Sequence, residues 1–324
     1  MKIQILSLLA SVFATAALAA DVAKEDPTFL DPKSAGLDYE IQGEYTGKID
    51  DGPVGVQIIA LGGGKFHGVL YPGGLPGAGF NGEKKIEGDG VLEDNKAIFR
   101  EKDGEGRVTV SNGKAEGKTK DGNSFTLEKT VRHSPTEGAK APSGAITLFD
   151  GGSADAWVNP HVDERKLLQS GCKTKQEFTD YTLHVEFLLP FKPLARGQGR
   201  GNSGVYMQDR YEIQVLDSFG LKGLNNECAG IYSKIAPSVN MCFPPLTWQT
   251  YDIDFTAARF DADGKKTKKA VVTVKHNGVM VHDHQEIDGP TGGGKLEDSK
   301  PGAIQLQGHG NPVFYRNVWI VEKK

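Results

Sequence analysis

The chain has 324 residues, of which 38% are hydrophobic and 25% charged, a composition that predicts folded domains and excludes extended disorder. Its length is typical of about two domains. The net charge of -4 and the lack of a basic stripe or nucleic-acid motif argue against a nucleic-acid partner. The 42 glycines and 16 prolines favour tight turns between short strands.

The first 20 residues have the features of a secretory signal peptide. Lys2 precedes a largely apolar run over residues 3–18, and Ala17-Leu18-Ala19 has the small residues of a cleavage site, with charged Asp21 directly after it. The run is short for a membrane span, although an uncleaved anchor is the alternative. We therefore expect a periplasmic or secreted protein with no membrane contact beyond the signal peptide.

An exported protein is allowed disulfide bonds. The three cysteines, Cys172, Cys228 and Cys242, leave at least one unpaired within the chain. Cys228 and Cys242 flank a loop-like stretch and are the predicted disulfide.

After the signal peptide, the sequence divides into two β-rich parts. Residues 21–131 predict a small antiparallel domain, a meander or barrel with an accessory role, in which Asn112-Gly113 is the strongest hairpin signal. Residues 132–144 are polar, contain two prolines and two glycines, and read as a linker. Residues 145–324 predict a second β domain.

Strand-like runs follow one another through this second domain without convincing helical periodicity, which favours a β-sandwich or jelly roll over βαβ units. The runs are 146–149, 181–189, 203–208, 211–217, 249–256, 270–275, 279–287, 303–307 and 313–321. The predicted fold class is therefore all-β.

Alternation along these strands separates a core face from a polar face. In 211–217, Tyr211, Ile213 and Val215 share one face, and Glu212 and Gln214 share the other.

The run 303–307 behaves in the same way. Gln305 and Gln307 face away from the core, and His309 continues the polar series. Amides and carboxylates bind sugar hydroxyls, and aromatic rings such as Tyr206 stack on sugar rings. The sequence therefore predicts a carbohydrate-binding face, with an ordinary solvated sheet face as the alternative.

Several motifs also resemble one protein family. They are RGNSGVY at 200–206, YEIQVLD at 211–217, the block 231–248, and IQLQGHG at 304–310 followed by Arg316-Asn317. In order, they resemble the 3-keto-disaccharide hydrolase domain over residues 144–323. The resemblance implies a concanavalin-like lectin/glucanase sandwich and a 3-keto-glycoside as the carbohydrate substrate. A sugar C3 oxidoreductase acting upstream would supply such a substrate.

The strand Glu212-x-Gln214-x-x-Asp217 is also similar to the catalytic strand of laminarinase- and lichenase-type glycosidases. Those strands carry a central acid where this sequence has Gln214, so the usual pair of carboxyls is incomplete. A 3-keto sugar needs only one base, because the C3 ketone acidifies the C2 proton. We predict Glu212 as that base and His309 or Asp217 as the acid for the leaving oxygen. The predicted substrate-binding residues are Asn202, Tyr206, Gln214, Gln305, Gln307 and Arg316.

No cofactor is predicted, and a structural or catalytic divalent metal remains open. His282-x-His284 places two imidazoles on one strand face, but no third ligand is apparent, so a surface strand is favoured. A non-catalytic carbohydrate-binding module and an extracellular interaction protein are the alternatives to an enzyme.

Export can be tested by intact mass. Because the small-residue site is followed directly by charge, protein exported by a bacterial host should begin near Ala20 or Asp21. A membrane-held species that retains Met1 would contradict the signal-peptide prediction.

Overall fold

The computed structural model describes residues 26–82, 84–100, 107–119 and 121–323, and nearly all of their regular structure is β. The predicted signal peptide lies outside these residues. Within them, the one α-helix is α1 (Gly36–Ile41), and two short 3-10 turns occupy Pro32–Ser34 and Gly197–Gly199. No helix in this described part of the chain has the length and hydropathy of a membrane span.

The N-terminal part is a closed barrel of eight antiparallel strands that follow one another in sequence order. Its strands are β1 (Gly43–Ile49), β2 (Gly52–Gly62), β3 (Lys65–Pro72), β4 (Ile86–Glu93), β5 (Lys96–Arg100), β6 (Arg107–Ser111), β7 (Lys114–Lys118) and β8 (Ser124–Thr130). β8 pairs with β1, which closes the barrel and removes the free sheet edges.

Local sequence explains the barrel well. Tyr45, Phe66 and Leu127 are buried in its core. The predicted hairpin at Asn112-Gly113 joins β6 to β7, with φ angles of 51° and 74° that suit a two-residue hairpin turn.

The C-terminal part is a sandwich of two antiparallel sheets. The smaller sheet has the order β10-β12-β21-β14-β15, and the larger has the order β11-β22-β13-β16-β19-β20, with β9 also paired to β22. The strands are β9 (Ile146–Phe149), β10 (Trp157–Val158), β11 (Leu168–Gln169), β12 (Cys172–Phe178), β13 (Tyr181–Leu188), β14 (Ser203–Met207), β15 (Tyr211–Val215), β16 (Trp248–Thr256), β17 (Arg259–Phe260), β18 (Lys266–Lys268), β19 (Ala270–His276), β20 (Val279–Ile287), β21 (Gly302–Leu306) and β22 (Phe314–Glu322). β17 and β18 form a separate hairpin.

The sandwich core lies between the two sheets. Ile213 and Leu306 of the smaller sheet belong to the same buried cluster as Phe187 and Tyr251 of the larger. Their alternation with polar residues matches the predicted faces, and the predicted all-β sandwich is confirmed.

Residues 134–139, here called the strap, pack on the outer face of the larger sheet. They cover Glu186 of β13, whose side chain is 0% exposed. Glu186 accepts hydrogen bonds from the Gly138 N–H at 2.5 Å, Arg316 Nε at 2.6 Å and Asn317 Nδ2 at 2.7 Å. Burial alone would raise the pKa of Glu186, but these bonds and one from His184 outweigh it and lower the pKa to about 2.

The barrel rests directly on the sandwich. Phe191 of the sandwich packs against Phe29 and Tyr39 at ring distances of 5.8 and 5.3 Å. Arg132, just after β8, donates to both carboxylate oxygens of Glu44 in β1 at 2.5 and 2.7 Å. This ion pair orients the Arg132 guanidinium, which lies 4.9 Å from the ring of Phe243 in the sandwich. Ring packing and this cation–π contact therefore join the two domains.

Two sequence-based ideas about cysteine and histidine are not supported. Cys228 and Cys242 are buried free thiols rather than a disulfide, and the Cys228 thiol shares a hydrogen bond with the Tyr251 hydroxyl at 3.2 Å. His282 turns inward and lies 2.7 Å from the Ala229 carbonyl oxygen, whereas His284 is exposed, with a φ of 44°. Among the described residues, no cluster of His, Cys, Asp and Glu could hold a metal ion.

The strap should stabilise the sandwich when the barrel is removed. A fragment of residues 132–324 should unfold about 5 °C or more above a fragment of residues 145–324, because the shorter one lacks both the Gly138 donor to Glu186 and the packing of the strap on the larger sheet. Thermal melts followed by circular dichroism measure the difference. A fragment of residues 140–324, which also lacks the strap, is the control and should match the shorter one; equal melting of all three would contradict a stabilising strap.

Candidate active site

Five predicted polar residues gather on the outer face of the smaller sheet. Tyr206 of β14 lies between Glu212 of β15 and Gln305 of β21 in the register of the sheet. Gln214 follows on β15, and Gln307 continues from the end of β21. The predicted strand phase therefore brings Tyr206, Glu212, Gln214, Gln305 and Gln307 to one surface.

Gly204 forms the floor of this surface. It pairs with Gln214 on one side, and its carbonyl accepts the Gln307 N–H at 2.8 Å on the other. A Cβ at this position would lie 2.1 Å from Glu212 Oε1, so only glycine leaves room for that carboxyl. We call Gly204, Glu212, Gln214 and Gln307 the trough.

Glu212 is held in the trough without a cation. Glu212 is 1% exposed, and its Oε2 lies 2.8 Å from the Tyr206 hydroxyl. Within the described residues, no donor reaches Oε1. Burial raises the pKa of Glu212 to about 7, and the hydrogen bond with Tyr206 offsets part of this rise. A carboxyl with such a pKa can exchange a proton near neutral pH.

The Tyr206 hydroxyl lies between the Glu212 carboxyl and the loop that contains Gly292. The hydroxyl oxygen lies 2.6 Å from the Gly292 carbonyl oxygen and 2.8 Å from Glu212 Oε2, but it has one proton to donate. The Gly292 carbonyl can only accept, so it takes the single Tyr206 proton. The contact with Glu212 is then also a hydrogen bond if the Glu212 carboxyl is protonated and donates to the Tyr206 oxygen. Ionisation of Glu212 turns the Tyr206 proton toward the carboxylate and away from Gly292.

Three amide oxygens near the trough are buried without a hydrogen-bond partner among the described residues. They are Asn202 Oδ1, Gln214 Oε1 and Gln307 Oε1. Gln198 Oε1 holds the amide nitrogens of Asn202 and Gln214 at 3.0 and 2.9 Å, which fixes the orientation of both groups. Unpaired buried acceptors are costly, and hydroxyl donors of a polyhydroxylated ligand would satisfy them.

Three other predicted site residues do not join the trough. Asp217 is buried in an ion pair with Arg200 at 2.6 Å, which ties the end of β15 to the preceding loop. His309 is exposed on the loop after β21. Arg316 lies on the outer face of the larger sheet, where it binds Glu186, and therefore does not share a surface with Gln305.

A cavity of about 440 Å³ that no sequence pattern predicts lies beside the trough. Gln305, Lys173, Asp209 and Lys295 are among the residues that line it. The ammonium groups of Lys295 and Lys173 lie 2.7 and 3.5 Å from Asp209 Oδ2, while Asp209 Oδ1 has no partner among the described residues. Alternation along β12 could have placed Lys173 on this face. Lys295 lies in a loop that no sequence pattern connects to the sheet.

The fold and the trough define a carbohydrate-acting β-sandwich protein. The model of the 3-keto-alpha-glucoside-1,2-lyase-like domain matches residues 144–321, and the chain belongs to this family. The match covers the sandwich and begins after the barrel.

Two solved structures from Parabacteroides distasonis ATCC 8503 are similar to part of this chain, and the first shares its sandwich fold. One, provisionally described as a glycosyl hydrolase, is 35% identical over 56% of this chain and 85% of its own, with a TM-score of 0.53. A second, described in the same way, is 17% identical over 56% of this chain and 94% of its own, with a TM-score of 0.41. A search of curated proteins found no match.

The raised pKa of Glu212 should appear in the pH dependence of stability. The folded carboxyl keeps its proton up to about pH 7, whereas the unfolded one loses it near 4.5, so stability falls as pH rises through this window. Glu212→Gln removes this titration and should gain up to about 3 kcal/mol relative to the wild type between pH 4.5 and pH 8. Unfolding of both proteins across this range measures the gain. Parallel pH profiles would show that the pKa of Glu212 is ordinary.

Proposed function

We propose that the chain is an exported enzyme that cleaves 3-keto-glycosides in the trough, with Glu212 as the general base. The observation that supports this most is the Glu212 carboxyl itself. It lies over Gly204, between Gln214 and Gln307, and its pKa of about 7 matches that of a base working near neutral pH.

The neighbours of Glu212 favour elimination over ordinary glycoside hydrolysis. Hydrolysis of an unmodified glycoside uses two carboxyls about 5–9.5 Å apart. In this strand the residue two positions after Glu212 is the amide Gln214, and the described group that hydrogen-bonds the Glu212 carboxyl is the Tyr206 hydroxyl. A substrate with a C3 ketone needs a single base.

The proposed reaction needs no external oxidant or reductant, because every bond and proton is accounted for by Glu212, the sugar and water. Glu212 takes the proton from C2, and the electron pair forms an enolate with the C3 oxygen. The enolate then forms a double bond between C1 and C2 and expels the glycosidic oxygen, which takes up a proton and leaves as an alcohol. Addition of water across C1 and C2 gives the free 3-keto sugar, so the net result is hydrolysis.

His309 is the proposed proton donor to the leaving oxygen. It lies outside the trough, on the exposed loop that continues from Gln307, and would have to approach the bound substrate from that side. Asn202, Gln214 and Gln307 would bind sugar hydroxyls through their unpaired amide oxygens. We place this reaction outside the cytoplasm, downstream of an enzyme that oxidises the sugar at C3.

The second candidate is a non-catalytic carbohydrate-binding module. The 1% exposure of Glu212 favours it, since a module would use the amides and keep the carboxyl as a buried structural group. Such a module would tolerate the loss of the Glu212 charge.

Glu212→Gln separates these candidates. Glutamine keeps the shape of the side chain but takes no proton, so turnover of a 3-keto-disaccharide should fall at least about a hundredfold while its binding is retained. Glu177→Gln, at an exposed position of β12 in the same sheet, is the matched control and should keep wild-type turnover.

The assay compares a C3-oxidised disaccharide with its unoxidised parent and measures released sugar. Equal cleavage of both would contradict the 3-keto specificity. Wild-type turnover by Glu212→Gln would remove Glu212 as the base, and binding without cleavage by the wild type would favour the module.

A further inference from the structure

A second cavity, of about 470 Å³, lies between the barrel and the sandwich. Tyr39, Gln42 and Lys129 line it from the barrel, and Leu246 and Trp248 line it from the sandwich. Its volume lies within the range of small-molecule sites, which often occur at domain interfaces. We call it the interdomain cleft.

Gln42 presents an unsatisfied donor to the cleft. The residue is 2% exposed, and its Oε1 accepts the Ala60 N–H at 3.0 Å. Its Nε2 is buried without a partner among the described residues. The contact with Ala60 orients the amide, so this NH2 group is fixed and needs an acceptor.

Lys129 contributes an ammonium group whose N–H bonds are only partly used. Its Nζ donates to the Glu40 carbonyl at 2.6 Å, and no other group in the described chain accepts from it, so two of its three N–H bonds remain. The lysine stem crosses Gly43, where a Cβ would lie 2.7 Å from Lys129 Cε. Burial lowers the pKa of Lys129 to about 8, so the ammonium is still charged at neutral pH.

The carboxylates of the cleft already have cationic partners. Glu44 binds Arg132, and Glu137 accepts from Arg316 at 2.7 Å. The Gln42 amide nitrogen and the Lys129 ammonium therefore present donors, one of them charged, that the carboxylates of the cleft do not satisfy. Apolar and aromatic side chains make up much of the remaining wall: Tyr39, Val131, Pro244, Leu246 and Trp248. Arg316 stacks on Trp248 at 3.9 Å and holds the indole in place.

We propose that the interdomain cleft binds a uronic acid residue of a glycan, with its carboxylate on Lys129 and Gln42 and its ring against Trp248. A carboxylate supplies the acceptors that both donors lack, and the lysine makes the bonds charge-assisted. The apolar face of a pyranose ring packs well on an aromatic side chain. None of these residues belongs to the trough, so the cleft can bind whether or not the trough is catalytic.

Methyl glucuronide and methyl glucoside, which differ only in the C6 carboxylate, are matched probes. Calorimetric or NMR titration near pH 6.5 should show the glucuronide binding about tenfold or more tightly than the glucoside. Lys129→Met should remove this preference, while Lys114→Met, a barrel-surface lysine paired with Glu128, should keep it. Gln42→Glu keeps the acceptor for Ala60 but places a negative charge in the cleft, and should also weaken glucuronide binding.

Three outcomes would overturn the proposal. Equal affinity for the two methyl glycosides would remove the role of the carboxylate. Wild-type affinity in both Lys129→Met and Gln42→Glu would place the ligand elsewhere. Gln307→Ala removes one of the amides proposed to bind sugar hydroxyls in the trough. Loss of glucuronide binding in this variant would place the ligand in the trough, whereas wild-type affinity supports a separate site.

Discussion

The register of the β14–β15 hairpin is the constraint on which the candidate active site depends. It sets Gly204 opposite Gln214 and Tyr206 opposite Glu212, so that the Glu212 carboxyl occupies the space a larger residue at 204 would fill. A slip of one residue would turn Glu212 into the core and Ile213 to the outside. The buried apolar residues of β14 and β15 hold this register, and the polar chemistry of the trough follows from it.

Both outer faces of the sandwich carry buried acids, but their surroundings differ in kind. Glu186 receives several donors, including the guanidinium of Arg316, and the pKa of its carboxyl falls to about 2. Glu212 has a single tyrosine as its donor, and burial raises its pKa to about 7. The first arrangement suits a fixed structural anchor for the strap, and the second suits a group that gains and loses a proton.

Local periodicity predicted much of this protein. The all-β character, the hairpin at Asn112-Gly113 and the shared polar face of Glu212 and Gln214 follow from patterns within a few residues, because successive side chains on a strand point to opposite faces. Strand β4 of the barrel lacks this signal, since one of its eight residues is buried and that residue is Gly90. The closure of the barrel depends on the pairing of β1 with β8, whose sequences are far apart.

The sequence by itself determined which face of each strand is polar; only the tertiary structure decided which sheet each strand joins. Arg316 and Gln305 both lie on polar strand faces, yet β22 joins the larger sheet and β21 the smaller, so the two residues point to opposite sides of the sandwich. The properties of Glu212 have the same origin. Its burial depends on contacts with Tyr206 and with Thr291, 79 residues away along the chain. Strand alternation is a local property, whereas sheet assignment and desolvation arise from contacts between distant segments.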